Sequence, residues 1–107
     1  MRLGLVIESN DAERVWNAFR LANTALDAGH AVETFLLGDG VEAPDVETPK
    51  FNPPGLLRKY LNEGGELAAC GTCLDSRDLD ADELRPRGTM ADLLGLVEDA
   101  DEVLTFG

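Results

Sequence analysis

The sequence lacks the features of secreted, membrane-spanning and disulfide-stabilised proteins. Its 107 residues include two cysteines, one histidine and only two lysines, Lys50 and Lys59. No apolar run approaches the ~18 residues that a membrane span requires, and the apolar run after Met1 is too short for a secretory signal. Two cysteines are also too few for the disulfide framework of a small secreted domain. We therefore expect a cytoplasmic protein that forms a single domain over residues 1–107.

Basic residues are scarce relative to acidic ones. The net charge is −12, from 21 acidic and 9 basic residues. We expect neither nucleic acid nor an anionic membrane as a partner, because few cations are present to neutralise phosphates. The acids are spread along the chain, a pattern typical of halophilic proteins that stay soluble in strong salt. An ordinary acidic protein is the alternative interpretation.

The first forty residues predict a strand, a helix and a second strand. Leu3–Ile7 is a short apolar run typical of a strand buried on both faces. Apolar residues recur at helical spacing from Asp11 to Ala28, where we predict a helix capped by Asn10, with Glu13 completing a capping box. Ala31–Leu37 is rich in β-branched and aromatic residues and predicts the second strand. Such a βαβ unit implies parallel strands and a right-handed crossover.

The remaining pattern continues this alternation. We predict a long loop over 41–52, which is a lid, an interface arm or simply mobile, and then a helix after Asn52 and a strand over 66–69. A short helix over 74–78 and an edge segment over 85–88 follow. The last two elements are a helix after Thr89, which buries Met90, Leu93, Leu94 and Val97, and a strand over 103–106. This order predicts an α/β protein with an open, mostly parallel sheet of about five strands and helices on both faces, a three-layer sandwich.

Cys70 is the strongest candidate for chemistry. In open parallel sheets, ligands bind beyond the carboxyl ends of the strands. Cys70 follows a predicted strand and precedes a predicted helix, where backbone N–H groups and the helix dipole favour a thiolate. Gly71 allows a close approach of the backbone. We predict that the Cys70 sulfur is reactive near neutral pH, which requires it to be accessible.

Cys73 has three interpretations. It resolves an oxidised or persulfidated Cys70 by forming a disulfide, as in other C-x-x-C sites, it packs inward, or it joins Cys70 in a metal site. We rank the metal site last and predict no metal or cofactor, because zinc prefers four ligands and His30 is expected to be structural. The segment 38–40 is not a phosphate-binding glycine fingerprint.

Three further residues have both a functional and a structural interpretation. Asn10 either lines a pocket beside the cysteine or only caps its helix. Thr72 either donates a hydrogen bond to a Cys70 thiolate or only starts a helix. Arg77 either offsets the charge of an anionic sulfur or pairs with one of the many acids. Trp16 lies off the apolar stripe of its helix and is interpreted as a subunit contact.

Taken together, five segments resemble the DsrE/DsrF-like family of small sulfur-relay proteins. They are the strand Leu3–Ile7, the helix Asn10–Ala28, the segment Ala28–Phe35, the motif Ala69–Leu74 and the close Ala100–Phe106. The Cys-Gly-x-Cys motif is similar to that of archaeal-type members. Family members that are best understood have a single cysteine at this place and a following helix that ends Arg-Gly, whereas this chain has a second cysteine and Arg-Asp.

The resemblance implies a flavodoxin-like fold, a homotrimer or hexamer, and a cysteine after the third strand that carries sulfur as a persulfide. Cys70 occupies that position. We therefore predict a sulfur carrier or sulfurtransferase that holds sulfane sulfur on Cys70, uses Cys73 as a resolving thiol, and meets a sulfur donor or acceptor protein. Asn10, Gly71 and Thr72 are the predicted substrate-binding residues. The alternatives are a dithiol–disulfide redox protein and a non-catalytic oligomeric module that binds a small ligand.

Overall fold

The computed structural model describes all 107 residues and contains one sheet of five parallel strands in the order β4-β3-β2-β1-β5. The strands are β1 (Arg2–Ile7), β2 (Ala31–Leu36), β3 (Glu66–Cys70), β4 (Arg87–Gly88) and β5 (Glu102–Phe106). The α-helices are α1 (Ala12–Asp27), α2 (Pro53–Asn62), α3 (Gly71–Asp75) and α4 (Met90–Asp99). This arrangement confirms the predicted open, flavodoxin-like α/β sheet. None of the helices has the length and apolar character needed to cross a bilayer.

Helices cover both faces of the sheet. On one face, the Thr34 hydroxyl of β2 donates to the Tyr60 hydroxyl of α2 at 3.0 Å, and the Tyr60 ring meets Phe19 of α1 with centroids 5.6 Å apart. On the other face, a Cβ added to Gly4 of β1 would lie 2.6 Å from a Leu96 methyl of α4. Gly4 and Thr34 point to opposite faces because β1 residue Leu5, not Gly4, pairs with Thr34. The three layers are therefore α1 and α2, the sheet, and α4.

The buried face predicted for α4 was wrong for three of its four residues: Leu93 is partly buried against the core, and the other three are exposed. Of its apolar residues only Leu96 is fully buried, whereas Met90, Leu94 and Val97 are 57%, 58% and 49% exposed. The helix is apolar on more than one side, so periodicity alone does not show which side faces the sheet. The exposed residues follow an i, i+4, i+7 spacing and form one stripe, which we call the α4 stripe.

The predicted long loop was also wrong in its first part. Residues Gly38–Asp45 form a 3-10 helix that buries Val41 and Ala43. Gly38 has a φ of +55° and turns the chain from β2 into this helix. Only residues 46–52 remain irregular, and Phe51 within them contacts Trp16 of α1 with ring centroids 5.1 Å apart. The aromatic ring that was predicted as a subunit contact is thus partly covered by its own chain.

Three predicted helix caps can be compared with the structure. Asp11, not Asn10, caps α1, and its carboxylate accepts from the Arg14 amide at 2.9 Å. The Asn52 cap of α2 is confirmed, as is the Thr89 cap of α4 with its capping box. Either Asp or Asn caps a helix well, so adjacent candidates are not separated by sequence.

Candidate functional site

Cys70 and Cys73 lie at the carboxyl end of β3. Cys70 is the last residue of the strand and the N-cap of α3. The helix begins at Gly71, so the short helix predicted over 74–78 starts three residues earlier than expected. Cys73 therefore follows Cys70 by about one helical turn, a spacing that places the two side chains on the same side. Both cysteines are free thiols.

The two thiols differ in their contact with solvent. Cys70 is only 4% exposed and belongs to the hydrophobic core, whereas Cys73 is partly exposed. The surface depressions lie elsewhere: one of about 370 Å³ beside Arg14 and Phe106, and one of about 200 Å³ beside Arg58 and Leu84. Neither is lined by a cysteine. In this conformation the solvent reaches the site from the side of Cys73.

Cys73 lies against the turn that follows β2. The Gly38 amide donates a hydrogen bond to the Cys73 Sγ at 3.3 Å. The pKa of the Cys73 thiol is raised, first by burial and then by the neighbouring Cys70 thiol, which together outweigh the Gly38 amide. Burial therefore disfavours the thiolate form of Cys73 in the resting site.

Arg77 holds the backbone of Cys73 in place. Its guanidinium donates to the Cys73 carbonyl oxygen at 3.2 Å and to the Asp39 carboxylate at 2.7 Å. Asp39 is the neighbour of Gly38, the donor to the sulfur. A closed ring of contacts thus runs from the Cys73 Sγ through Gly38 and Asp39 to Arg77 and back to the Cys73 carbonyl. This ring, which we call the Cys73 clamp, joins α3 to the 3-10 helix.

A second arginine lies over the start of α3. Arg87 in β4 forms two hydrogen bonds with the Asp75 carboxylate, at 3.0 and 2.8 Å. The pKa of Asp75 is lowered, chiefly by this hydrogen-bonded contact. A Cβ on Gly71 would lie 2.8 Å from the Arg87 guanidinium carbon. The glycine is therefore explained by the close approach of an arginine of the same chain.

The structure brings together four of the five predicted site residues. Cys70, Gly71, Thr72 and Cys73 are contiguous, and Thr72 is exposed. Asn10 lies apart, after β1, where its amide donates to the Glu42 carboxylate at 3.1 Å. No group of three or more histidine, cysteine or carboxylate side chains is placed to hold a metal ion.

The sequence did not indicate three residues that contact this site. Gly38 and Asp39 were considered only as part of a phosphate-binding fingerprint that the sequence does not form, and Arg87 was predicted only to lie in an edge segment. Gly38 and Asp39 reach Cys73 because β2 and β3 are neighbours in the sheet. Arg87 reaches Gly71 because β3 and β4 are neighbours. These contacts result from the order of the strands in the sheet and not from a local sequence motif.

Comparison with known proteins identifies the family. An uncharacterized protein of Methanopyrus kandleri is 36% identical over 103 residues, which cover 88% of this chain and 83% of the relative. An uncharacterized protein of Methanocaldococcus jannaschii is 35% identical over 100 residues, which cover 88% of both chains. The family model of the DsrE/DsrF-like family matches residues 1–106. The resemblance seen in the sequence is confirmed, and the chain belongs to the DsrE/DsrF-like family.

Proposed function

We propose that this protein is a carrier of sulfane sulfur that uses the Cys70–Cys73 pair. The observation that carries the proposal is a pair of free thiols about one helical turn apart at the carboxyl edge of a parallel sheet, in a member of the DsrE/DsrF-like family. Only sulfur nucleophiles of this kind accept a sulfur atom as a persulfide and release it again. Free thiols also suit a reducing compartment such as the cytoplasm.

Each element of the site has a part in this function. A thiolate is the attacking species in sulfur transfer. The Gly38 amide, 3.3 Å from the Cys73 Sγ, stabilises negative charge on that sulfur. Arg77 is held near the same residue by the Cys73 clamp and favours an anionic sulfur through its positive charge. Gly71 and Thr72 form the backbone between the two cysteines, while Asn10 belongs to the outer rim of this edge through Glu42.

Sulfur uptake from a persulfide donor tests the proposal. Reduced protein is incubated without oxygen with a small-molecule persulfide, and bound sulfur and released sulfide are both measured. We expect the wild type to take up sulfur and the double variant Cys70→Ser/Cys73→Ser to take up none. Equal uptake by the wild type and the double variant contradicts the proposal, because the sulfur would then be bound without the cysteines.

A dithiol–disulfide redox protein is the second candidate function. The position of the two thiols favours it, because Cys70 at the start of α3 and Cys73 one helical turn later have the spacing of C-x-x-C redox sites. A reduction potential in the range of known thiol oxidoreductases, together with turnover of a disulfide substrate but no sulfur uptake, would favour this function over sulfur carriage.

We also propose that the protein assembles with copies of itself through the α4 stripe. Three large apolar side chains exposed to about half their surface on one helix are unusual for a monomer. The resemblance to the family implies a trimer or hexamer. Light scattering after gel filtration should give a multiple of 11.5 kDa, and Leu94→Asp should shift it toward the monomer. An unshifted mass for this variant contradicts the use of the α4 stripe.

A further inference from the structure

The two cysteines of the site are not equivalent. Cys70 is 4% exposed and joins the hydrophobic core, and its strand neighbour in β4 is Gly88. Cys73 is partly exposed and lies one helical turn further along the chain. A donor molecule that approaches the carboxyl edge of the sheet meets Cys73 first. Exposure of Cys70 requires the end of β3 to move away from the core.

The contacts of Cys73 prepare its sulfur for an external reaction. The Gly38 amide points at the Sγ from 3.3 Å, and Arg77 holds the Cys73 carbonyl from 3.2 Å. The link between Arg77 and Asp39, at 2.7 Å, ties the segment that carries the amide donor to the helix that carries the cysteine. Gly38 itself takes a φ of +55°, a conformation that aims its N–H and that other residues rarely adopt. No comparable backbone donor reaches the Cys70 sulfur in this structure.

Building on the proposed carrier function, we propose that Cys73 is the thiol that receives sulfur from the donor, and that Cys70 is the internal thiol that resolves the resulting persulfide. This order is the reverse of the one predicted from the sequence. The substrate class is a persulfide, R–S–SH, of a small thiol or of a cysteine in a donor protein. Arg77 is a positioning residue in this scheme, because it acts on the sulfur through the Cys73 backbone and Asp39.

The first step transfers one sulfur atom. The Cys73 thiolate attacks the terminal sulfur of R–S–SH, an S–S bond forms to Cys73, and the S–S bond of the donor breaks. The donor leaves as R–S⁻ and takes up the proton that Cys73 lost. The product is a Cys73 persulfide.

The second step uses the buried partner. The Cys70 thiolate attacks the Sγ of Cys73, a Cys70–Cys73 disulfide forms, and the outer sulfur leaves as HS⁻. Two electrons pass from the two cysteines to the sulfane sulfur, so the disulfide is oxidised and the released sulfide is reduced. A dithiol reductant then restores the pair.

Site-resolved alkylation of the reduced protein tests the order without any sulfur donor. Iodoacetamide is added to the native protein, and the modification of each cysteine is followed by mass spectrometry of its peptide. We expect Cys73 to react at least about tenfold faster than Cys70, because thiol reactivity requires exposure. The same measurement in denaturant should bring the ratio near one. Faster or equal native labelling of Cys70 overturns the proposal.

Single variants test the sulfur-transfer roles. With a small-molecule persulfide as donor, Cys70→Ser should retain sulfur on Cys73 and release almost no sulfide, since the resolving thiol is missing. Cys73→Ser should take up sulfur far more slowly than the wild type. Wild-type uptake by Cys73→Ser, with sulfur found on Cys70, overturns the order. If the wild type takes up no sulfur, the carrier function fails, whereas the alkylation order still decides which thiol is the outer one.

Arg77→Lys and Arg77→Gln test the positioning role. Both variants lose the paired hydrogen bonds to Asp39 and the Cys73 carbonyl, but only the lysine keeps the charge. We expect both to lower the alkylation preference for Cys73 over Cys70, with an unchanged preference in denaturant. A native preference equal to that of the wild type in both variants contradicts a positioning role for Arg77.

Discussion

Substitution of Gly40 by alanine is the sharpest test of how the 3-10 helix is positioned beside the site. Gly40 is buried against the end of β1, and a Cβ at this position would lie 1.9 Å from the Ile7 carbonyl oxygen and 2.7 Å from its carbonyl carbon. Real Cβ atoms essentially never come within 3.0 Å of such atoms. The obstacle is backbone, so it cannot be relieved by rotation of a side chain.

The cost of this substitution has two parts. Either β1 or the 3-10 helix must move by about 1 Å, and overpacking of a well-packed interior costs about 1–3 kcal/mol. The same Ile7 oxygen accepts a hydrogen bond from the Leu37 amide at 2.9 Å, and a weakened bond adds about 1 kcal/mol. We expect Gly40→Ala to lower the free energy of unfolding by about 3 kcal/mol. For a domain of this size the Tm should fall by about 12 °C.

Two other glycines provide matched controls. Gly95 in α4 has no atom within 4 Å of an added Cβ, so Gly95→Ala should stabilise the helix by about 0.5–1 kcal/mol. Gly29 is equally open but has a φ of +91°, so Gly29→Ala should cost about 1–2 kcal/mol through backbone conformation alone.

Urea unfolding followed by circular dichroism measures all three variants. We expect Gly40→Ala to be the least stable of the three. In Gly40→Ala the native ratio of alkylation rates of Cys73 and Cys70 should also be smaller than in the wild type, because displacement of the 3-10 helix moves the Gly38 amide. A Gly40→Ala protein within 1 kcal/mol of the wild type, or one no less stable than Gly29→Ala, would refute the reasoning.

Three further outcomes are expected. Tyr60 is fully buried and donates to the Glu66 carbonyl oxygen at 2.5 Å, so Tyr60→Phe should lower the free energy of unfolding by about 1–2 kcal/mol in urea titrations. Burial raises the pKa of Tyr60, so its stabilising contribution is complete below the unfolded-state pKa of about 10 and declines at higher pH. The free energy of unfolding of Tyr60→Phe should therefore decline less above pH ~10 than that of the wild type. An identical pH profile for the two proteins would contradict the assignment. The pKa of Cys73 is raised, first by burial, so its native alkylation rate should still be increasing above pH ~9.5, where an ordinary cysteine with a pKa of about 8.5 is already about nine-tenths thiolate. A plateau reached at or below that pH would contradict the raised pKa. The acidic composition predicts that the Tm rises with potassium chloride concentration, and a Tm that is highest in dilute buffer would exclude the halophilic interpretation.

Local sequence patterns accounted for most of the secondary structure. The alternation of short apolar runs with amphipathic segments determined the α/β class, and the turn residues marked most boundaries between elements. The 3-10 helix was missed because its four buried residues, Gly40, Val41, Ala43 and Pro44, are too few to show a period. Its burial depends on the contact of Gly40 with β1, which is distant in the chain.

The chain by itself determined which residues are the candidates for chemistry, because two thiols at a spacing of three residues after a strand are a local property. The resemblance to the DsrE/DsrF-like family was equally contained in the order of short segments. Only the tertiary structure decided which thiol is covered and which has a backbone donor, since that depends on β2 lying beside β3 and bringing Gly38 to Cys73. It likewise decided which side of α4 meets the sheet. This helix has apolar residues on several sides, and its backbone hydrogen bonds form within the helix whichever side faces the sheet.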